Sequence, residues 1–305
     1  MTLRRRDLLN LGFAIPFASA ARAAPRRLKV AGIVARWVQD APDYRAVNFR
    51  RIEKLIREAA AAGAEVACTT ECFLDGYYRD VSDQTSDLTH IAERCEVVES
   101  SAYVARLKAL AGELRIAIVA GMAIREGTWL FNSAQLYTAR GELAGIYRKT
   151  HNFGRHQHWF SMLDDAARRA CYPSFDVGGG RAGLMICADR SFAHTSRALA
   201  ENGSQVLFCP TGGAYEFGSL ARHAARVGLW SVWVHPLGCA IVDDRGRTVV
   251  HRRNPLGIDF LAVPAAEIDS KPDRRFAVLG EVELRPPVLP ADEACPGGRY
   301  DGDLP

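Results

Sequence analysis

The chain has 305 residues, 48% of them hydrophobic and 24% charged, with a formal net charge of +4. That balance suits one large buried core, or two at most, and excludes a disordered or low-complexity polymer. Arg4, Arg5, Arg6 and Arg22 stand against Asp7 in the first 23 residues, so without them the formal charge falls to about +1. That balance indicates no basic surface for nucleic acid, and no nucleic-acid partner is expected.

The chain opens on Arg4-Arg5-Arg6-Asp7-Leu8-Leu9, an apolar stretch from Leu11 to Ala21, and Ala21-Arg22-Ala23. This order looks like a twin-arginine export signal with an A-x-A cleavage site over residues 1–23, and it predicts a periplasmic protein. The apolar run is shorter than the roughly 20 residues that span a bilayer, so no membrane insertion is expected after cleavage. Residues 24–305 then form one domain, with a core over about 28–264 and a C-terminal tail over about 265–305.

Leu28–Ala35 reads as a buried strand. Tyr44–Ala62, with Val47, Ile52, Leu55, Ile56 and Ala59 on one face, reads as an amphipathic helix ending at Gly63. The next strand, Glu65–Thr70, runs into Glu71, and Leu74-Asp75-Gly76-Tyr77 reads as the turn that leaves it. A helix over Ser100–Leu114 leads to a strand at Ile116–Gly121 and a strand pair at Leu130–Tyr137 and Glu142–Tyr147, with Lys149 just beyond.

Phe175–Val177 and Ala182–Ile186 flank Gly178-Gly179-Gly180, which reads as a hairpin turn, and Cys187 ends the second strand. A helix over Thr195–Asn202, a strand over Gln205–Cys209, a helix over Ser219–Val227, and strands at Trp230–Val234, Cys239–Val242 and Phe260–Val263 complete the order. Alternation of strands and helices with interspersed hairpins predicts an α/β sandwich with a mixed sheet, not a barrel. Eight cysteines without close C-x-x-C pairs point to no disulfide scaffold; Cys209 and Cys239 read as core residues, and Cys295 as an exposed thiol.

Glu71, Lys149 and Cys187 thus each fall at a strand end, where α/β folds present reactive groups. A thiol attacks as thiolate and needs a base or cation beside it. Glu71 can take the proton, while Lys149 can stabilise both the thiolate and an oxyanion, alongside the backbone N–H of Ala188. Asp189, Arg190, Phe73, Tyr77 and His151 are the accompanying pocket candidates.

Glu71-x-Phe73-x-x-Gly76-Tyr77, Tyr147-Arg148-Lys149-x-His151 and Gly183-Leu184-x-Ile186-Cys187-x-Asp189 stand in the order seen in the nitrilase superfamily of carbon–nitrogen hydrolases, which the chain resembles from about Leu28 to Val263. The resemblance implies a four-layer αββα sandwich with mixed sheets, usually dimerised or further assembled. It implies cofactor-free, metal-free hydrolysis of a non-peptide C–N bond in a small molecule through a thioester. Cys187 is then the nucleophile, Glu71 the general base and Lys149 the oxyanion stabiliser. Ala188-Asp189 after the cysteine is similar to the amidase and N-carbamoyl amino acid hydrolase branches, whereas nitrile-hydrolysing branches tend to carry Trp-Glu there.

The chain departs from the family pattern in three places. Asn152–Trp159 lacks the usual glutamate after the lysine, with Gln157 in its neighbourhood. Phe192-Ala193-His194 stands where the family has Phe-Pro-Glu, and Ala225-Arg226-Val-Gly-Leu-Trp230 stands where the family has an R-A-x-E-N helix, without its acidic residue. A non-catalytic binding protein on the same scaffold, nitrile hydrolysis, and acyl transfer to an amine therefore remain alternatives. His151, His156 and His158 are read as pocket or surface histidines in preference to metal ligands, and Asp75 and Asp80 as turn residues.

Overall fold

A computed structural model describes residues 25–76, 89–152, 172–254 and 275–289. The leader, Tyr77, Asp80, His156, Gln157, His158, the strand expected at Phe260–Val263, and Cys295 lie outside the described residues.

The first strand, β1 (Arg26–Ala35), shows how the layers arise from a period of two. Leu28, Val30 and Val34 point to one side, into a cluster shared with a second sheet. Ala31, Ile33 and Ala35 point to the other, against Phe49, Ile52, Leu55 and Ile56 of α1 (Tyr44–Ala61). Complete burial of each such aliphatic side chain contributes about 1.5–3 kcal/mol, so both faces of the strand are committed to cores. On α3 (Ala102–Leu114), Val104, Leu107, Leu110 and Ala111 extend the outer core, and the Ser101 hydroxyl caps the helix by accepting from the Val104 N–H at 3.1 Å.

The first sheet has the order β12-β1-β2-β3-β4-β5, with β2 at Val66–Cys68, β3 at Ala117–Glu126, β4 at Trp129–Tyr137, β5 at Leu143–Arg148 and β12 at Arg275–Leu284. The second has the order β11-β10-β9-β8-β7-β6, with β6 at Ser174–Asp176, β7 at Arg181–Leu184, β8 at Val206–Pro210, β9 at Trp230–His235, β10 at Gly238–Val242 and β11 at Thr248–Arg253. Each sheet has three parallel strands at its centre, β1-β2-β3 and β7-β8-β9, flanked by antiparallel partners. Two further helices, α4 (Ala193–Glu201) and α5 (Gly218–Arg226), bury Leu199, Ala200, Leu220 and Ala224 on the second sheet. Two mixed sheets are thus stacked between helices, the αββα arrangement expected.

The hairpin at Gly178–Gly180 is present, closed by the Val177 N–H on the Gly180 carbonyl at 2.9 Å. A short helix, α2 (Thr89–Arg94), and two strands, β11 (Thr248–Arg253) and β12 (Arg275–Leu284), were not anticipated. β12 lies inside the segment read as a tail, and pairs antiparallel with the whole of β1, from Arg26↔Leu284 to Ala35↔Arg275. β11 is a mostly exposed edge strand ending in His251-Arg252-Arg253, so it carries no apolar alternation to betray it.

Two details place the turn after β2. The ladder ends at Cys68, although the Thr69 N–H still donates to the Val119 carbonyl. Beyond it the chain crosses Gly121 so closely that a β-carbon there would lie 2.5 Å from the Thr70 carbonyl oxygen and 2.9 Å from the Glu71 α-carbon. Only glycine lets β3 support the Glu71 turn at that approach. Gly76, at φ +67, then closes the turn against the Trp37 ring.

Candidate active site

Glu71, Lys149 and Cys187 stand just beyond the C-terminal ends of β2, β5 and β7, respectively. Glu71 is fully buried, and its Oε1 receives the Lys149 Nζ at 2.7 Å and the Asn132 Nδ2 at 2.6 Å. Lys149 is anchored along its backbone as well, its N–H donating to the Asn132 carbonyl at 2.8 Å. Burial works against the ammonium, but the Glu71 carboxylate, with Cys187 and Asp189 nearby, more than offsets this and holds Lys149 above its ordinary value. The carboxylate absent from the stretch after Lys149 is therefore not needed to keep the ammonium charged.

Cys187 begins a short 3-10 turn, Cys187–Ser191, with φ +46. A non-glycine residue in the left-handed region costs about 1–2 kcal/mol, strain of the kind that collects at functional sites. The thiol is 3% exposed, and Arg190 Nη1 lies 3.5 Å from its sulfur. Burial pushes the Cys209 and Cys239 thiols up to about 12 and those of Cys68 and Cys72 well above the ordinary range; for Cys72 the Glu71 charge adds to the effect. None of the six described cysteines forms a disulfide.

Asp189 has no exposed surface, and its two oxygens collect five hydrogen bonds. Oδ1 accepts from the Thr150 hydroxyl at 3.0 Å, the His151 N–H at 3.0 Å and His151 Nδ1 at 2.8 Å. Oδ2 accepts from the Tyr147 hydroxyl at 2.8 Å and the Ile186 N–H at 2.9 Å. One carboxylate therefore ties the segment bearing Lys149 to the turn bearing Cys187. Burial raises its pKa, but the His151 hydrogen bond and charge, Lys149 and the Ile186 N–H outweigh this and hold it below the usual carboxylate range.

Asp189→Asn keeps the shape but offers one acceptor oxygen to donors that now use two. It is expected to cost about 3 kcal/mol at pH 7 in urea unfolding. Because the folded-state pKa is depressed, this stability is present above the unfolded value of about 3.9 and is lost as pH falls through the lower folded value. The gap between wild type and variant should therefore narrow on acidification below about pH 4; a gap independent of pH contradicts the assignment.

The remaining candidates divide. Arg190 is 5% exposed, donates through Nη2 to the Ala214 carbonyl at 3.3 Å, and has Nε 3.5 Å from Glu216. His151 stacks on Phe192 with centroids 3.9 Å apart, and Ala188 is buried at the turn. Phe73, proposed for the pocket, instead packs in the outer core, 6.2 Å from the Phe49 ring. Asp75, taken as a turn residue, is also a buried partner of Arg45 at 3.0 Å.

Two contributors escaped the sequence reading. Asn132 is one of three polar residues in β4, with Ser133 and Gln135, and nothing in the sequence sets it apart from them. His235, at the end of β9, is wholly buried, donates from Nε2 to the Gly213 carbonyl at 2.8 Å and accepts the Leu237 N–H on Nδ1 at 3.0 Å. Burial first, opposed by the Gly213 bond and helped by Arg190, brings its pKa down to about 4. It is a neutral peg for the loop that carries Ala214 and Glu216. Among the described residues no group of three or more His, Cys, Asp and Glu is arranged to hold a metal ion, and no helix is long and apolar enough to cross a membrane.

The fold has close counterparts among solved structures. A carbon–nitrogen hydrolase from Helicobacter pylori G27 superposes with a TM-score of 0.65 at 15% identity, covering 85% of this chain and 89% of that one. A double mutant of the amidase from Nesterenkonia sp. AN1 in complex with acrylamide gives 0.64 at 20% identity, over 84% and 90%. In sequence, a nitrilase from Pyrococcus abyssi is 29% identical over 239 residues, 78% of this chain and 83% of the relative. An N-carbamoylputrescine amidase from Arabidopsis thaliana is 30% identical over 167 residues, 54% of this chain and 53% of the relative, and a citrullinase from Francisella tularensis is 28% identical over 55% and 57%. The chain thus spans little more than half the length of these last two. The model of the carbon-nitrogen hydrolase family matches residues 35–262, three strand ends and the strands that carry them included, and the chain belongs to that family.

Proposed function

We propose that this protein hydrolyses a small linear amide or N-carbamoyl compound through a thioester on Cys187. The observation that carries the reading is the buried Glu71–Lys149 pair, at 2.7 Å, within electrostatic reach of a strained cysteine. In the first step the thiol proton passes to Glu71 and the sulfur bonds to the carbonyl carbon. The carbonyl oxygen takes the negative charge, met by the Lys149 ammonium and the Ala188 N–H. Collapse of this intermediate breaks the C–N bond, Glu71 returns its proton to the leaving nitrogen, and ammonia or an amine departs. Water then attacks the thioester with Glu71 again as base, releasing the acid and restoring the thiol.

Amide and carbamoyl substrates are favoured over nitriles by Ala188-Asp189 after the nucleophile and by relatives named N-carbamoylputrescine amidase and (R)-stereoselective amidase. The nitrilase name of the Pyrococcus relative supports the second reading, nitrile hydrolysis. Ammonia release from matched amides, N-carbamoyl compounds and nitriles separates the two. The expected result is turnover of amides or carbamoyl compounds at least about tenfold faster in kcat/KM than of the matching nitriles, a difference of about 1.4 kcal/mol in transition-state binding. The opposite ranking selects nitriles, and no release from any of them removes the hydrolase reading. The paired arginines and apolar stretch before Ala23 support export to the periplasm as part of the same proposal.

A further inference from the structure

We propose that Arg190 is a further catalytic residue, whose guanidinium receives the charge of the Cys187 sulfur when the thiol proton passes to Glu71. The inference rests on the reading of Cys187 as nucleophile. That proton transfer breaks the S–H bond and forms an O–H bond on Glu71, moving one negative charge from carboxylate to sulfur. At its starting point the charge is held by Lys149 and Asn132, at 2.7 and 2.6 Å from Glu71 Oε1. At its destination Arg190 Nη1 lies 3.5 Å from Sγ. A nearly buried guanidinium at that place makes the transfer a passage between two cationic sites, not a loss of Lys149's partner.

The geometry around Arg190 supports a fixed role. Its Nη2 is held by the Ala214 carbonyl at 3.3 Å, and the loop bearing that carbonyl is pegged by His235 through Gly213. Glu216 lies 3.5 Å from Nε on the side toward solvent and shares the positive charge with the sulfur. Other titratable groups that act on this guanidinium or feel its charge are Cys209 on β8 and His235 on β9, while Lys149 is within electrostatic reach of Cys187, Glu71 and Asp189 together. Weakening Glu216 should therefore free more of the Arg190 charge for sulfur, and removing Arg190 should do the reverse.

The test is the rate of iodoacetamide alkylation of Cys187 against pH, read by peptide mass, together with kcat and KM for the best amide found. Arg190→Met is expected to raise the pH midpoint of alkylation by about one unit and to lower the rate at neutral pH about tenfold. Its loss of turnover should fall on kcat, with KM within about threefold of wild type. Arg190→Lys should recover a midpoint within about half a unit of wild type, and Glu216→Gln, at a half-exposed position, should move it downward. If Arg190→Met does not fold, the Lys and Gln variants decide by these same shifts. An unmoved midpoint with a raised KM makes Arg190 a substrate-binding residue and overturns the proposal, as does an upward shift in Glu216→Gln. Failure of the nucleophile reading is distinguishable, since wild-type Cys187 would then alkylate no faster than the buried thiols.

Discussion

Cys187→Ala is expected to lower amide hydrolysis by about 10⁵-fold or more in kcat, because removal of the nucleophile in a comparable hydrolase costs on the order of 10⁶. The fold should survive. The side chain is small, and alanine keeps the strained φ of +46 at the start of the 3-10 turn. Cys187→Gly should be equally inactive but relieve that strain, so its stability should equal or exceed that of the alanine variant by up to about 1 kcal/mol. Ammonia release and urea unfolding of the two variants separate chemistry from backbone strain. Retained turnover in either variant removes Cys187 from the mechanism.

Lys149→Met should damage both activity and stability. It leaves the Glu71 carboxylate fully buried, with Asn132 still donating but without its cation at 2.7 Å. Removing one partner of a buried ion pair costs about 3–5 kcal/mol. Loss of a preorganised oxyanion donor costs about 10²–10³ in kcat. Because Lys149 is held above its ordinary value, its contribution to stability is fully present below the unfolded pKa of about 10.4, and is lost as pH rises through the folded value. The stability gap between wild type and Lys149→Met should thus be constant near neutrality and shrink only in strong alkali. Glu71→Gln added to Lys149→Met should recover part of the lost stability, since the uncompensated charge is gone. Additive losses in the double variant contradict the pairing.

Much of this architecture was readable from the chain because its cores are written in period. The alternation of Leu28, Val30 and Val34 with Ala31, Ile33 and Ala35 marks a strand buried on both faces, and the spacing of Ile52, Leu55, Ile56 and Ala59 marks the helix above it. Each candidate catalytic group sits where such an apolar run breaks, which is why three strand ends could be named without coordinates. β12 was not readable, because its pairing with β1 joins Arg26 to Leu284 across almost the whole chain. No local pattern encodes so distant a register.

The site shows the same division. Residue type alone marked Glu71, Lys149 and Cys187 as chemically capable. It did not show that Asp189 spends both oxygens on holding Tyr147, Thr150 and His151 as well as the local Ile186 N–H, since the first three become neighbours only after the two sheets stack. Phe73 misled for a related reason. It lies two residues from Glu71, yet the turn after Cys72, at φ +47, sends its ring into the outer core beside Phe49. Asn132 shares β4 with Ser133 and a second amide, Gln135, so residue type did not single it out until its carboxylate partner was in place.

The covalent step is the centre of this account, and intact-protein mass spectrometry after rapid acid quench tests it most directly. With a mixed pool of amides and N-carbamoyl compounds, the wild-type protein should gain the mass of one acyl group. Peptide mapping should place that group on Cys187, and the adduct should decay as ammonia and acid accumulate. Glu71→Gln, if acylated chemically, should retain it longer because the water-activating base is gone. Turnover in which ammonia accumulates while Cys187 never carries an acyl group, even at the shortest quench times and with the slowest substrates, would contradict the account.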